Sequence, residues 1–186
     1  MRDTTTYDFG MYVPLRQGPS AVIDHPVDHL LACHGRIRAF MSLARAIATR
    51  NDATDVLVRD AARDVKRYFT EALPRHAADE DETVRPRLMG RSTALDATLE
   101  RMTREHARLD TQLALLCAMC DALMVDPAVR KTRRAALTTL LDGLDTLWAA
   151  HLGPEEREIF PIVRTLEPSV CDAIRDEMRA RRAVRH

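Results

Sequence analysis

The sequence predicts an all-α chain. Four long helices run up and down as a bundle, a short fifth helix follows at the C-terminus, and an irregular arm precedes them. Three observations carry that expectation. Ala, Leu, Arg, Asp, Glu and Met dominate while aromatic residues make up only 4%, a mix that favours helix over sheet. Prolines, glycines and capping residues divide the chain into five stretches. Within four of these, apolar residues recur at steps of three and four, the spacing of a buried helical seam. At 186 residues, 46% hydrophobic and 30% charged, the chain has enough material for one domain with its own core.

Residues 1–24 carry Gly, Pro, Thr and Asp without a helical period and read as an extended or loosely ordered arm. Pro26 opens the first helix, which runs to about Arg50. NDATD breaks it, and a second runs from about Thr54 to Leu88. MGRS follows, with Ser92 an N-cap for a third helix that reaches about Met124. Asp126-Pro127 reads as a cap followed by Pro at the first helical position, and the fourth helix runs on to about Leu166. The bundle thus spans residues 25–167. Pro168 opens the short fifth helix, which ends in the Arg-rich tail of residues 168–186. Pro74 and Pro154 lie inside helices, and each should bend its helix or restart it.

The seams are not purely apolar. In the third helix the stripe is Leu95, Leu99, Met102, His106, Leu109, Leu113, Leu116, Cys120 and Leu123. In the first, His34 takes a slot among Ile23, Val27, Leu30, Ile37, Met41, Ala44 and Ala48. In the second, Val58, Ala62, Val65, Phe69 and Ala72 lead to His76 and Glu80. In the fourth, Leu137, Leu141, Leu144 and Trp148 lead to His151 and Glu155. The last two belong to a repeated pattern, HAADEDETVRP at 76–86 and HLGPEEREIFP at 151–161. Taken alone, one stripe histidine is usually a satisfied core residue, and one His-x-x-x-Glu a surface pair. Four inward imidazoles with two inward carboxylates are different. A core carboxylate costs several kcal/mol unless it is paired or bound to a cation. Imidazole nitrogen with carboxylate oxygen suits iron, manganese or zinc. The spacing of four sets two donors one turn apart on one face. Two such pairs and one further His from each remaining helix can enclose two ions, with the two Glu bridging.

Other features are weaker. His25 and His29 fall off the stripe and read as solvated or capping. Asp81, Glu82 and Glu156 neighbour the donor positions and are either surface residues or supports and substitutes for the donors. Tyr68 reads as core packing, with a reach into the metal pocket as the alternative. Cys117 and Cys120 lack the βαβ setting of a redox C-x-x-C and read as small core residues. The Arg-rich end reads as a solvated helix end. Net charge is zero, from 28 basic and 28 acidic residues, which disfavours a nucleic-acid partner. No apolar run approaches the roughly 18 residues of a membrane span, and residues 1–20 show no apolar signal segment. The expectation is a cytoplasmic protein away from membranes whose four cysteines stay reduced. A homodimer through the arm or the fifth helix is left open.

DHLLACHGRI, HAADEDETVRP, TREHARLD and HLGPEEREIFP together resemble the hemerythrin-like HHE cation-binding family. That family is a four-helix bundle of two helix pairs. Its signature is an early His in each pair, then H-x-x-x-E, a hydrophobic pair and Pro. The similarity covers roughly residues 26–166; Val84-Arg85 is the looser match to the hydrophobic pair. The resemblance implies a non-haem di-iron centre held by His34, His76, Glu80, His106, His151 and Glu155, with zinc or manganese as replacements. It implies binding or sensing of oxygen or nitric oxide in a small pocket of Leu, Met and Ala. The alternatives are a di-iron oxidoreductase that handles peroxide or nitric oxide or supports iron–sulfur repair, and a structural bundle with adventitious metal. One departure stands out. Oxygen-carrying members place two His one turn apart on the third helix, where this chain has Met102 and Asp110 on either side of His106. The position left is open, or filled by Asp110 or water.

Overall fold

The computed structural model describes residues 25–183 in full, with the backbone of β1 (Thr5–Tyr7) and β2 (Met11–Val13). The two strands pair antiparallel, Thr6 opposite Tyr12. The rest of the expected arm and residues 184–186 of the tail lie outside the described residues.

The domain is helical, and its helices start where capping chemistry says they should. His25 Nδ1 accepts from the Val27 N–H at 3.2 Å, with Pro26 at the first position of α1 (Pro26–Thr49). Thr54 caps α2 (Asp55–Arg67) by accepting from Leu57 N–H at 3.3 Å. The second long run continues through α3 (Leu73–Ala78) and α4 (Arg85–Leu88). A turn at Gly90, whose φ of 83° suits glycine, leads to Ser92, which caps α5 (Thr93–Val125). Helix α1 packs on α2 and α7, and α5 packs on the same two.

The fourth stretch departs from the expectation. Asp126 accepts from Ala128 N–H at 2.9 Å, but Pro127 sits in a turn rather than a helix. The single turn α6 (Val129–Thr132) follows, and the chain breaks at Arg133 before α7 (Arg134–Pro154). Arg130 supplies a reason. It is buried and donates to the carbonyls of Arg50 and Ala53 at 2.9 and 2.7 Å, which pins α6 beneath the link between α1 and α2. The chain then passes through α8 (Phe160–Val163) to α9 (Pro168–Ala183), a 16-residue helix and so longer than the short one expected.

Three wide π-helical segments interrupt the second and fourth runs: Tyr68–Ala72, Asp79–Val84 and Glu155–Ile159. Each ends just before a proline, at Pro74, Pro86 and Pro161. Proline lacks an N–H and its ring crowds the carbonyl four residues back, so the preceding backbone bonds with a spacing of five. Leu73 N–H donates to Tyr68, Arg85 to Glu80, and Phe160 to Glu155. The first segment corrects the expected seam: Ala72 is exposed and Leu73 takes its buried place. Ile23 lies outside the described residues; the other seam residues named above are inward, with His106 part-buried.

The core is split in two. One apolar cluster runs through Ile37, Phe40, Leu109, Leu116, Leu144 and Trp148. The other holds Leu30, Leu88, Leu99, Phe160, Ile174 and Met178. His34, His76 with Glu80, His106, and His151 with Glu155 fall between them along the four runs. Helix α9 closes the second cluster with Ile174 and Met178. Its Arg181 and Arg182 both bond Asp79, a carboxylate with no exposure. Arg87 adds a 2.5 Å bond to Glu177. The end of α9 is therefore latched to the segment carrying Glu80, which corrects the reading of a purely solvated Arg-rich end.

Removing one partner of a buried ion pair costs roughly 3–5 kcal/mol, and less where the partners reach water as these arginines do. Asp79→Ala should lower unfolding stability by about 2–4 kcal/mol and expose the arginines of α9 to trypsin. Arg182→Gln should cost less, because Arg181 still holds the carboxylate. Denaturant melts and timed proteolysis check both.

Candidate metal centre

The six seam residues converge on one layer. Each of α1, α3, α5 and α7 brings one imidazole, and the two wide turns after α3 and α7 bring Glu80 and Glu155. Glu80 faces both halves: Oε1 is 3.3 Å from His76 Nε2 and 3.7 Å from His34 Nε2, and Oε2 is 3.3 Å from His106 Nε2. Glu155 does the same, with Oε2 3.2 Å from His34 Nε2 and Oε1 3.2 Å from His151 Nε2. His106 Nε2 and His151 Nε2 lie 3.1 Å apart. Two donor groups result, His34–His76–Glu80 and Glu80–His106–His151–Glu155, with donor atoms within 4.8 Å of one another in each.

Three imidazoles are oriented from outside. His34 Nδ1 meets Glu156 at 2.8 Å, His106 Nδ1 meets Asp81 at 2.9 Å, and His151 Nδ1 meets Glu105 at 3.0 Å. A carboxylate on Nδ1 draws the ring proton there and leaves the Nε2 lone pair facing inward. Arg38 holds Glu156 at 2.7 Å, and Thr103 donates to Asp81 at 3.0 Å. Glu105 was missed in the sequence because it lies off the seam of α5, and only the packing of α5 on α7 brings it to His151. Glu82 instead pairs with Arg181 at 3.1 Å. Asp110 is exposed and stands outside both donor groups. His25 caps α1, and Tyr68 donates to the Cys33 carbonyl at 3.3 Å while stacking on Phe40, away from the donors. The four cysteines are free.

The chemistry of this layer demands positive charge. Both oxygens of Glu80 and Glu155, both ring nitrogens of His76 and Nε2 of His34 are buried without a hydrogen-bond partner among the described residues. Lone pairs facing one another at 3.1–3.3 Å repel unless a proton or a cation lies between. Donors about 2.1 Å from one ion sit roughly 3 Å or slightly more apart, so the spacing fits metal.

Electrostatics shows the same strain. Burial opposes charge on His34, but Glu155 and Glu80 outweigh it and lift the ring to about 10. Burial likewise opposes His106, which Asp81 and Glu80 lift to about 10. Burial holds His76 down at about 4. Glu80 stays well below the carboxylate range because His76, His106 and His34 outweigh its burial, whereas burial and then the charge of Glu80 push Glu155 up.

Beside the layer lies a cavity of about 360 Å³, between α3, α5 and α7. His76, His106 and His151 form its floor, Phe69, Leu73, Leu109 and Trp148 its walls, and Asp81, Glu82 and Asp110 its acidic rim. It is larger and more aromatic than the Leu, Met and Ala pocket expected.

The model of the hemerythrin HHE cation binding domain matches residues 25–163, most of the chain. The chain belongs to the hemerythrin HHE cation-binding family. As in the resemblance drawn from the motifs, the matched region contains all six seam donors and stops short of α9. Comparison with curated proteins finds no match. Family membership implies that the domain binds metal ions, and the donor set of this chain fits that role. Among the described residues no helix is long and apolar enough to cross a membrane.

The raised histidines set a pH dependence. A ring lifted from 6.5 to about 10 stabilises the fold fully below 6.5 and loses that contribution as pH climbs toward 10. His76, depressed to about 4, destabilises as pH falls from 6.5 toward 4. Metal-stripped protein should therefore be most stable near pH 6.5, with Tm falling steadily toward pH 10. Metal-loaded protein should hold its Tm over that alkaline range, because cations replace the two protons. Melts with and without chelator test this; a Tm that rises with pH in the stripped protein contradicts it.

Proposed function

We propose that this protein is a non-haem di-iron protein that binds or senses a small diatomic, oxygen or nitric oxide. One observation carries the reading: two buried carboxylates each divide their oxygens between two histidine pairs, and no hydrogen bond among the described residues satisfies them. His34 and His76 would hold one ion, His106 and His151 the other, and Glu80 and Glu155 would span both. The same reading takes the four long runs as an up-and-down bundle with α9 as a fifth helix. Two bound irons would supply redox-active positions open to a small ligand, since each ion has only two imidazoles.

The chain's own part is to hold the donors still and to shape the approach to them. Asp81, Glu105 and Glu156 keep a proton on Nδ1 of their histidines, so each ring presents Nε2 inward. Phe69, Leu109 and Trp148 give that approach apolar walls. Arg38 and Thr103 hold two of the outer carboxylates in place. No nucleic acid or membrane enters the proposal, and the compartment is taken as the cytoplasm.

Elemental analysis of protein expressed with iron should find about two irons per chain, with a visible spectrum that responds to oxygen or nitric oxide. His106→Ala should lower the iron content and abolish the response while leaving the helical signal intact. Asp81→Asn, which keeps the shape but not the charge, should weaken metal affinity about 10–100-fold. Zinc alone, or one ion per chain, overturns the di-iron reading.

A further inference from the structure

The cavity is too large for the ligand just proposed. A water molecule takes roughly 30 Å³, and a diatomic is of similar size. At about 360 Å³ the cavity has room for about a dozen waters, and it falls at the lower end of the roughly 300–1,000 Å³ of pockets that hold small organic molecules. Its walls are apolar and aromatic, so they reward a ligand with an apolar body.

Charge decides the rest. The rim carries Asp81, Glu82 and Asp110, and among the described residues neither Lys nor Arg lines the cavity. Asp81 is engaged by His106 and Thr103, and Glu82 by Arg181. Asp110 has no hydrogen-bond or ion-pair partner among the described residues. In the floor, His76 is 3% exposed; neither ring nitrogen has a hydrogen-bond partner among the described residues, and Nε2 faces Glu80 Oε1 at 3.3 Å. A centre loaded with two divalent ions is close to neutral: Glu80, Glu155, Asp81, Glu105 and Glu156 place five carboxylates on the donors or their rings, with Arg38 on Glu156, so the acids of the rim set the polarity of the cavity.

We propose that this cavity binds a small amphipathic organic cation, a primary amine with a short apolar body, directly beside the metal centre. The apolar part lies along Phe69, Leu73, Leu109 and Trp148, and the ammonium meets Asp110 at the rim. The site goes beyond diatomic binding and does not depend on which metal is loaded. It gives the centre a second ligand, whose occupancy narrows the diatomic's path to the floor.

Trp148 is the chain's only tryptophan, so its fluorescence reports on the wall. The test titrates the protein, as purified with its metal, with 2-phenylethylamine, neutral 2-phenylethanol and anionic 3-phenylpropionate. The amine should give a saturable change and bind at least about tenfold more tightly than the acid. Asp110→Asn should weaken the amine about three- to fivefold, the scale of one exposed ion pair, and leave the alcohol unchanged. Ala77→Phe, which fills the cavity, should abolish amine binding without changing metal content. Trp148 also borders a groove between α1 and α7 that contains Asp145; Asp145→Asn should leave the amine affinity unaltered. Equal binding of acid and amine, no saturable change, or a loss through Asp145→Asn each overturns the proposal. If Ala77→Phe does not fold, the exposed Asp110 and the three probes still decide. Metal analysis on the same samples separates the two readings. Protein without iron that selects the amine overturns only the di-iron reading; protein with two irons that ignores it overturns only this one.

Discussion

Two carboxylates held out of water, Glu80 and Glu155, are the constraint around which the domain is arranged. Neither is satisfied by a hydrogen bond among the described residues, and each is confined between apolar clusters. Burying an uncompensated carboxylate is so costly that the fold must bring positive charge to this layer, as protons or as metal. The four imidazoles are the means. Their inner nitrogens face the carboxylates, and three of their outer nitrogens are fixed by further acids. The ring orientation that makes the metal-free layer electrostatically strained is also the one that suits donation to a cation.

The prolines belong to the same arrangement. Pro86 and Pro161 force wide turns that begin at Asp79 and Glu155, and in both the carboxylate residue's own carbonyl takes the five-residue bond. A widened turn shifts the phase of everything that follows it. The run can thus present His76 and Glu80 inward and still return Val84 and Leu88 to the second cluster. Asp79, at the start of the first wide turn, points instead to Arg181 and Arg182. The irregular backbone that places a donor is therefore also the backbone that α9 grips.

Much of this was legible in the sequence because it depends on period and short-range chemistry. The seam of α5 appears residue for residue, the cap at Ser92 holds, and the two H-x-x-x-E copies mark the layer. What escaped depends on packing between distant elements. The break at Arg133 follows from Arg130 reaching carbonyls some 80 residues away. Glu105 matters only because α7 lies beside α5. The exchange of Ala72 for Leu73 on the seam required a wide turn, and its signal, a proline two residues beyond, was read as a bend instead. The wide turns before Pro86 and Pro161 carried the same signal.

The donor layer is nearly symmetric in its inner atoms and asymmetric in its surroundings. His34, His106 and His151 each rest an outer ring nitrogen on an acid; Nδ1 of His76 has no hydrogen-bond partner among the described residues, and burial, helped by the neighbouring His34, His106 and His151, keeps the ring neutral against the pull of Glu80. The cavity opens on His76 and on the side of α5 that carries Asp110. One turn either side of His106, Met102 returns one flank of α5 to the apolar core, at 4% exposure, while Asp110 is exposed at the cavity. With no imidazole at either position, α5 brings His106 alone to the donor groups, and an anion stands at the threshold. The walled, acid-rimmed space beside the donor layer, about 360 Å³, is the geometry on which the proposal of a ligand larger than a diatomic rests.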